Sequence, residues 1–410
     1  LLAVTAVVGQ IATSGVNDWY YLLIIGTAIL LAFRIVSSPT KAPVHLTQIL
    51  FLGLIARATP WFSYPVFGQD RFHQTAVGYI VTTATIVPES ITYYANFPTA
   101  HIFAATFTSV TGVELKVGYF SLGIILSLSL TGAYLLARSV LADKQSSLIA
   151  TLFVAVAGYH VRAGSEPFAQ TLFISLVPFI LYLSFRRDRS TRELYVLIFL
   201  VVFASTIQNI APLVLLGIYA TVVGSGWILN HVPDVWRAGN FEAKYTIPPV
   251  VPVLIGVVGI YYYVMADYLR FQTMRVIWLL EPLLDQSGPA TRSVIEGTGI
   301  SGIPTVVLFG YTLPGLLMWA APVLSISGIL ILGGFHIVDR LIVGNIDVTS
   351  LQYVLMASVI YAVFAFAFVS GSPATRALPS IIVLTAPVVG WVIFQFHDRK
   401  PIVGKSIAII

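Results

Sequence analysis

Long apolar runs alternate with short polar interruptions along most of the chain. The runs lie near 1–13, 19–36, 45–60, 116–138, 146–160, 167–185, 193–210, 212–229, 248–266, 312–334, 350–369 and 377–396. A membrane-crossing helix needs about 20 mainly apolar residues, so the pattern predicts about twelve spans. The first run is short, as expected of an apolar stretch that begins upstream of Leu1. The seventh and eighth are separated only by the break at Asn209–Pro212. The expected fold is all-α, a polytopic membrane helical bundle, with 1–410 forming a single transmembrane domain.

Two interruptions are too long to be plain connectors, which usually take about five residues. The first, 61–115, holds Asp70, Arg71, His73, Glu89 and His101 among many aromatic residues. The second, 267–311, contains DYLRFQTMRVIWLLEPLLDQSGPATRSVIEG at 267–297. Within the first, 70–84 reads as a helix lying along a surface. A second surface helix follows in TYYANFPTAHIFAATFTSVTG, where Pro98 suits the first turn and Gly112 the end.

Composition agrees with the runs. Only 10% of the residues are charged and mean hydropathy is +0.90, against about 25% charged in soluble domains. The chain therefore belongs mostly in a bilayer, among membrane lipids. The net charge of +5 would suggest a nucleic-acid partner in a soluble protein. Here the basic residues fall mainly in loops between apolar runs and report topology, so no nucleic acid is expected. With no cysteine, disulfides and thiolate metal sites are excluded.

Fourteen of the 22 basic residues fall on one side of the predicted stack, including the RRDRSTR loop at 186–192. A short basic loop resists translocation, which makes that side cytoplasmic. It leaves 61–115 and 267–311 as extracytoplasmic loops. Acids on the cytoplasmic side mostly sit beside basic residues and read as solvated loops. The outer side gathers acids, imidazoles and aromatics, so chemistry is expected at the extracytoplasmic face of an integral protein of the cell membrane.

Each candidate there has a plain reading beside the functional one. Asp70 and His73 are three apart and Gln74 is four from Asp70, so all three share a helical face. That face could hold an acceptor hydroxyl against a carboxylate; alternatively Asp70 simply caps the helix. Two ligands are too few to argue a metal site. His101, near Tyr93 and Tyr94, belongs either to a pocket or to an interfacial aromatic belt. In YHVRAGSEPFAQTLF at 159–173, His160, Arg162 and Glu166 occupy an outward turn. Arg162 and Glu166 could form a local ion pair, or the turn could present a cation to an anionic substrate. Arg275 lies on an amphipathic stretch that could be an interfacial helix or the lip of a lipid entrance. Arg376 could pair with a phosphate or snorkel to the interface. No Walker A, H-E-x-x-H or G-x-S-x-G motif occurs.

These features resemble the GT-C superfamily of membrane glycosyltransferases, which includes protein O-mannosyltransferases and aminoarabinose transferases of lipid A. FGQDRFHQ places Asp70 at the family's first-loop acidic position. YYANFPTAHIFAATFTSVTG is similar to the second surface helix, and GYHVRAGSEPFAQTLFISLVPFILYL to the next hairpin. The resemblance covers roughly 45–190. Two departures stand out. Asp70 is followed by Arg71 where many relatives have a second acid, and the W-W-D signature of oligosaccharyltransferases is absent.

The resemblance implies transfer of a sugar from a polyprenyl-phosphate carrier to an acceptor hydroxyl on a glycan, lipid or protein, at the extracytoplasmic face. Asp70 would be the catalytic base. Arg162, Arg275 or Arg376 would contact the phosphate, with His73, His101, His160 and Glu166 shaping the substrate pocket. A monophosphate-linked donor leaves as a lipid phosphate, so no cofactor and no divalent metal is required. The alternative is a multispan transporter or flippase of a lipid-linked or small polar substrate. That reading asks for ionisable residues near mid-membrane, and few are found. A structural subunit of a membrane complex is a third reading.

Overall fold

The computed structural model describes residues 18–38, 42–63, 71–85, 98–141, 143–165, 167, 169–186, 188–208, 211–230, 248–265, 306–308, 311–313, 378–399 and the positions 327, 331, 353, 357–359 and 361. These residues are helical apart from loops and one short antiparallel pair, β1 (Val306–Leu308) and β2 (Tyr311–Leu313). The helices are α1 (Asp18–Ser37), α2 (Ala42–Ser63), α3 (Arg71–Thr83), α4 (Thr99–Thr111), α5 (Leu115–Leu128), α6 (Leu130–Leu141) and α7 (Lys144–Val156). They continue with α8 (Gly158–Ser165), α9 (Ala169–Phe185), α10 (Thr191–Ile207), α11 (Ala211–Asn230), α12 (Val250–Met265) and α13 (Leu378–Arg399).

The all-α expectation holds for these residues, and the helix positions follow the apolar runs. Each of the runs 19–36, 45–60, 116–138, 146–160, 167–185, 193–210, 212–229, 248–266 and 377–396 coincides with a helix or helix pair. The run at 312–334 differs at its start, because 312 and 313 belong to β2. Among the described residues, one helical stretch, Leu115–Leu141, is long and apolar enough by itself to cross a membrane. Its 27 residues rise about 40 Å at about 1.5 Å per residue. The Ser129 N–H donates to Ile125 O at 2.9 Å across the α5–α6 joint, so the backbone ladder runs on. The run at 1–13, most of the run at 350–369 and nearly all of 267–311 lie outside the described residues.

The α7 helix is the centre of the bundle, packed against α1, α2, α6 and α13. It buries Ser146–Leu152, Val154 and Ala155. Small residues set the closest approach: a Cβ on Gly390 of α13 would lie 2.1 Å from the Ser146 carbonyl oxygen of α7. Side-chain hydroxyls in the apolar interior mostly donate back to their own helix, as Thr151 does to Ser147 O at 2.7 Å and Ser205 to Val201 O at 2.8 Å. That keeps polar groups satisfied without lateral partners.

The two ends of the bundle differ. At the lower end, charges are used for capping. Asp143 accepts from the Ser146 N–H, and Gln145 donates to the last turn of α1 at Ile35 O, 3.0 Å away. Ser190 and Glu193 form a capping box, with Glu193 also paired to Arg186. These are the solvated-loop roles expected of RRDRSTR. Outward faces of several helices remain apolar, including Leu22, Ile25, Leu30 and Phe33 on α1 and Val250, Val253, Val257 and Ile260 on α12. His45 is the large polar side chain buried at the lower end among the described residues, whereas at the upper end, where α2, α7 and α10 finish and α5, α9, α11 and α13 begin, several are buried.

Candidate functional site

The α3 and α4 helices pack against each other and against α5 at this upper end. Gly112, with φ +67°, ends α4 in the left-handed conformation and donates its N–H to Thr108 O at 2.9 Å, as expected. Pro98 sits one place earlier than expected, at the N-cap. The start of α4 is tied to the end of α10, with Thr99 Oγ1 3.1 Å from Thr206 O.

This packing brings His73 and His101 together. Nδ1 of His73 and Nε2 of His101 are 2.6 Å apart, so one ring N–H donates to the other nitrogen. The rings stack at a centroid distance of 4.9 Å, and exposures are only 2% and 3%. Burial, and then the charge that His73 would carry, lower the His101 pKa from 6.5 to about 3. His101 is therefore neutral at ordinary pH, hydrogen-bonded to His73. Gln74 shares this region, and its Nε2 is buried without a hydrogen-bond partner.

A pH dependence follows. Because the folded-state pKa of His101 is depressed, the unfolded chain takes up a proton there that folded His101 refuses as pH falls from about 6.5 towards 3. Stability is therefore complete above about 6.5 and declines below it, by up to about 1.4 kcal/mol per pH unit. Thermal midpoints should be flat above pH 7 and fall at lower pH, with a shallower fall in His101→Phe. Equal slopes in the two proteins would refute this.

A second centre is built around Arg57, which is fully buried on α2. Its Nη1 donates to Gly53 O at 2.7 Å and to Ala155 O at 3.0 Å. Ala155 lies in the last turn of α7, where carbonyls lack intrahelical donors, so Arg57 caps α7 with a cation at the favourable end of its dipole. Nη2 donates to His160 Nδ1 at 2.7 Å. The slot depends on small residues: a Cβ on Gly164 would lie 2.5 Å from Arg57 Cδ, and one on Gly53 3.1 Å from Nη1.

The α5 helix joins the two centres. A Cβ on Gly118 would run into Thr108 of α4, and one on Gly123 would lie 2.4 Å from Gly164 O of α8. Those positions are five residues apart, about 7.5 Å along the helix. Between them, Tyr119 donates to Pro167 O at 2.5 Å. Thr171 donates to Ala163 O at 2.7 Å, and Gln208 and Gln170 meet at 3.5 Å, both buried.

Neither a protein-family model nor a curated protein matches the chain.

Among the sequence-derived candidates, His73, His101 and His160 are buried at this end of the bundle, whereas Arg162, two residues from His160, is exposed. Asp70, Glu166, Arg275 and Arg376 lie outside the described residues. Arg57 is one of the eight basic residues on the other side of the predicted stack, counted there only as a topological charge and not as a candidate. An arginine inside an apolar run, four residues after a glycine, was the available signal. No group of three or more potential metal-binding His, Asp or Glu side chains occurs among the described residues.

Buried polar atoms without hydrogen-bond partners add to the picture. They include Gln74 Nε2, Ser121 Oγ, His160 Nε2, Gln208 Oε1 and Ser380 Oγ, all on upper-end segments. Each such atom costs roughly 1–3 kcal/mol. Their concentration at one end is what a polar binding site requires, because a ligand can supply the missing partners.

Proposed function

We propose that the protein is a GT-C-type membrane glycosyltransferase, moving a sugar from a polyprenyl-phosphate carrier to an acceptor hydroxyl at the extracytoplasmic face. One observation carries this reading: Arg57, His73, His101, His160, Gln170 and Gln208 are buried at one end of a bundle whose other buried polar side chains among the described residues, His45 apart, are serines and threonines. The segments that supply most of them are those in which the sequence resembles the superfamily. Buried ionisable groups in a membrane protein mark functional sites by default. Their position at a helix-end face, rather than mid-bundle, suits a substrate whose lipid tail lies between helices and whose phosphate stays at the interface.

A multispan bundle of about twelve spans is part of the same proposal, since about 20 apolar residues make a span. The apolar outward faces of α1 and α12 support lipid contact, because large exposed apolar patches are unfavourable in water. The basic lower end faces the cytoplasm in this reading. Asp70 acts as general base, with His73 and His101 beside the acceptor. The acceptor oxygen attacks the anomeric carbon, its proton passes to the carboxylate, and the bond to the carrier's phosphate oxygen breaks. Cationic groups stabilise the departing lipid phosphate.

The test is transfer by purified protein in bilayers, supplied with radiolabelled polyprenyl-phosphate sugars and candidate acceptors. Release of lipid phosphate with label in the acceptor is expected. Movement of intact donor across the bilayer, without release of lipid phosphate, would replace the enzyme with a flippase.

A further inference from the structure

Arg57 remains a guanidinium cation and cannot act as an acceptor. Its hydrogen bond to His160 Nδ1, at 2.7 Å, therefore requires the lone pair on that nitrogen. The neutral ring then carries its proton on Nε2. That atom is fully buried and has no hydrogen-bond partner. A buried N–H donor without an acceptor is a costly arrangement that native proteins rarely leave unfilled. The surroundings do not permit an easy rearrangement. Gly164 packs against the arginine stem, Gly53 against its head, and Ala155 O holds Nη1 at 3.0 Å.

We propose that His160 is a ligand-binding donor, held by Arg57 in the tautomer whose Nε2–H is offered to an anionic oxygen of a phosphate ester. The anionic class follows from the geometry. A cation donating to Nδ1 polarises the ring and makes Nε2–H a stronger donor, while the nearby positive charge adds attraction for an anion. The phosphate class rests on the glycosyltransferase reading; the oriented donor does not. Arg57 is thus a positioning residue, acting through His160, and is distinct from the exposed Arg162 that the sequence suggested as a phosphate contact.

Binding is measured with purified full-length protein in nanodiscs, using polyprenyl phosphate in one arm and inorganic phosphate in the other. Hydrogen bonds to charged groups contribute enough that His160→Phe should weaken polyprenyl-phosphate binding by about 10- to 100-fold. His160→Gln can accept from Arg57 through its carbonyl and donate through its amide, so it should bind within a few-fold of wild type. In 15N-histidine spectra of wild-type protein, the signal missing from His160→Gln should be an Nε2–H whose proton moves downfield on ligand addition. This arm stands even if His160→Phe fails to fold.

A shift with polyprenyl phosphate alone identifies a lipid headgroup, and a shift with inorganic phosphate alone identifies the free anion. Wild-type binding by a folded His160→Phe protein, loss of binding in a folded His160→Gln protein, or no shift with either probe overturns the proposal. Binding through His160 in a protein that transfers no sugar would retain the donor and reject the glycosyltransferase. Sugar transfer with unchanged binding by His160→Phe would do the reverse.

Discussion

Asp70→Asn is expected to lower sugar-transfer turnover by roughly 10²–10⁴-fold, the usual contribution of a general base. The amide keeps the size and much of the hydrogen bonding of the carboxylate but cannot take the acceptor's proton. Thermal stability should stay close to wild type, and donor binding should change far less than turnover. The single-turnover rate, measured with preloaded donor, separates the two effects. Near-normal turnover in a folded Asp70→Asn protein would remove the proposed mechanism. His73 and His101 cannot replace the base easily, because burial keeps His101 neutral and the two rings already bond to each other.

Arg57→Met should be the most destabilising of the substitutions considered, by about 3–5 kcal/mol. It removes the donors to Ala155 O and His160 Nδ1 and leaves those acceptors buried. It also removes the cation from the end of α7, the helix on which α1, α2, α6 and α13 converge. Arg57→Lys keeps the charge but loses the planar fork that serves both acceptors, so it should recover only part of the loss. Thermal midpoints of detergent-purified variants provide the measurement. A midpoint for Arg57→Met within about 1 °C of wild type would show that the slot is not a structural element, since 1 kcal/mol typically shifts a midpoint by more than that.

The plain and functional readings of the candidate residues separated unevenly. His101 had an interfacial belt as its alternative, but its near-complete burial against His73 places it in the interior. His160 and Arg162 were read as one outward cluster. Two residues apart on α8, they point to different environments, one fully buried and the other exposed. Of the helical face expected over 70–84, Asp70 lies outside the described residues, while the His73 and Gln74 positions on α3 reach the buried region. The charged loop at 186–192 was read only as a topology signal; its capping box and the Arg186–Glu193 ion pair, although local in sequence, are what the structure adds.

The sequence by itself determined most of the described helices, their approximate limits and the Gly112 stop, although α8 was read as a turn. These depend on apolar run length, backbone propensity and capping, which are settled within a few residues. It also marked the segments where polar groups collect, since ionisable side chains are excluded from apolar surroundings unless they have partners. Only the tertiary structure decided which partners those are. His73 meets His101 across 28 residues and Arg57 meets His160 across 103. Both contacts depend on how α3, α4 and α8 fold onto α5, and on glycines that admit a backbone or a guanidinium at close range. Nothing local distinguishes Arg57 as a topological charge from Arg57 as a buried cap. That difference arises from the helices packed around it, which exclude water and fix both the cation and the imidazole tautomer.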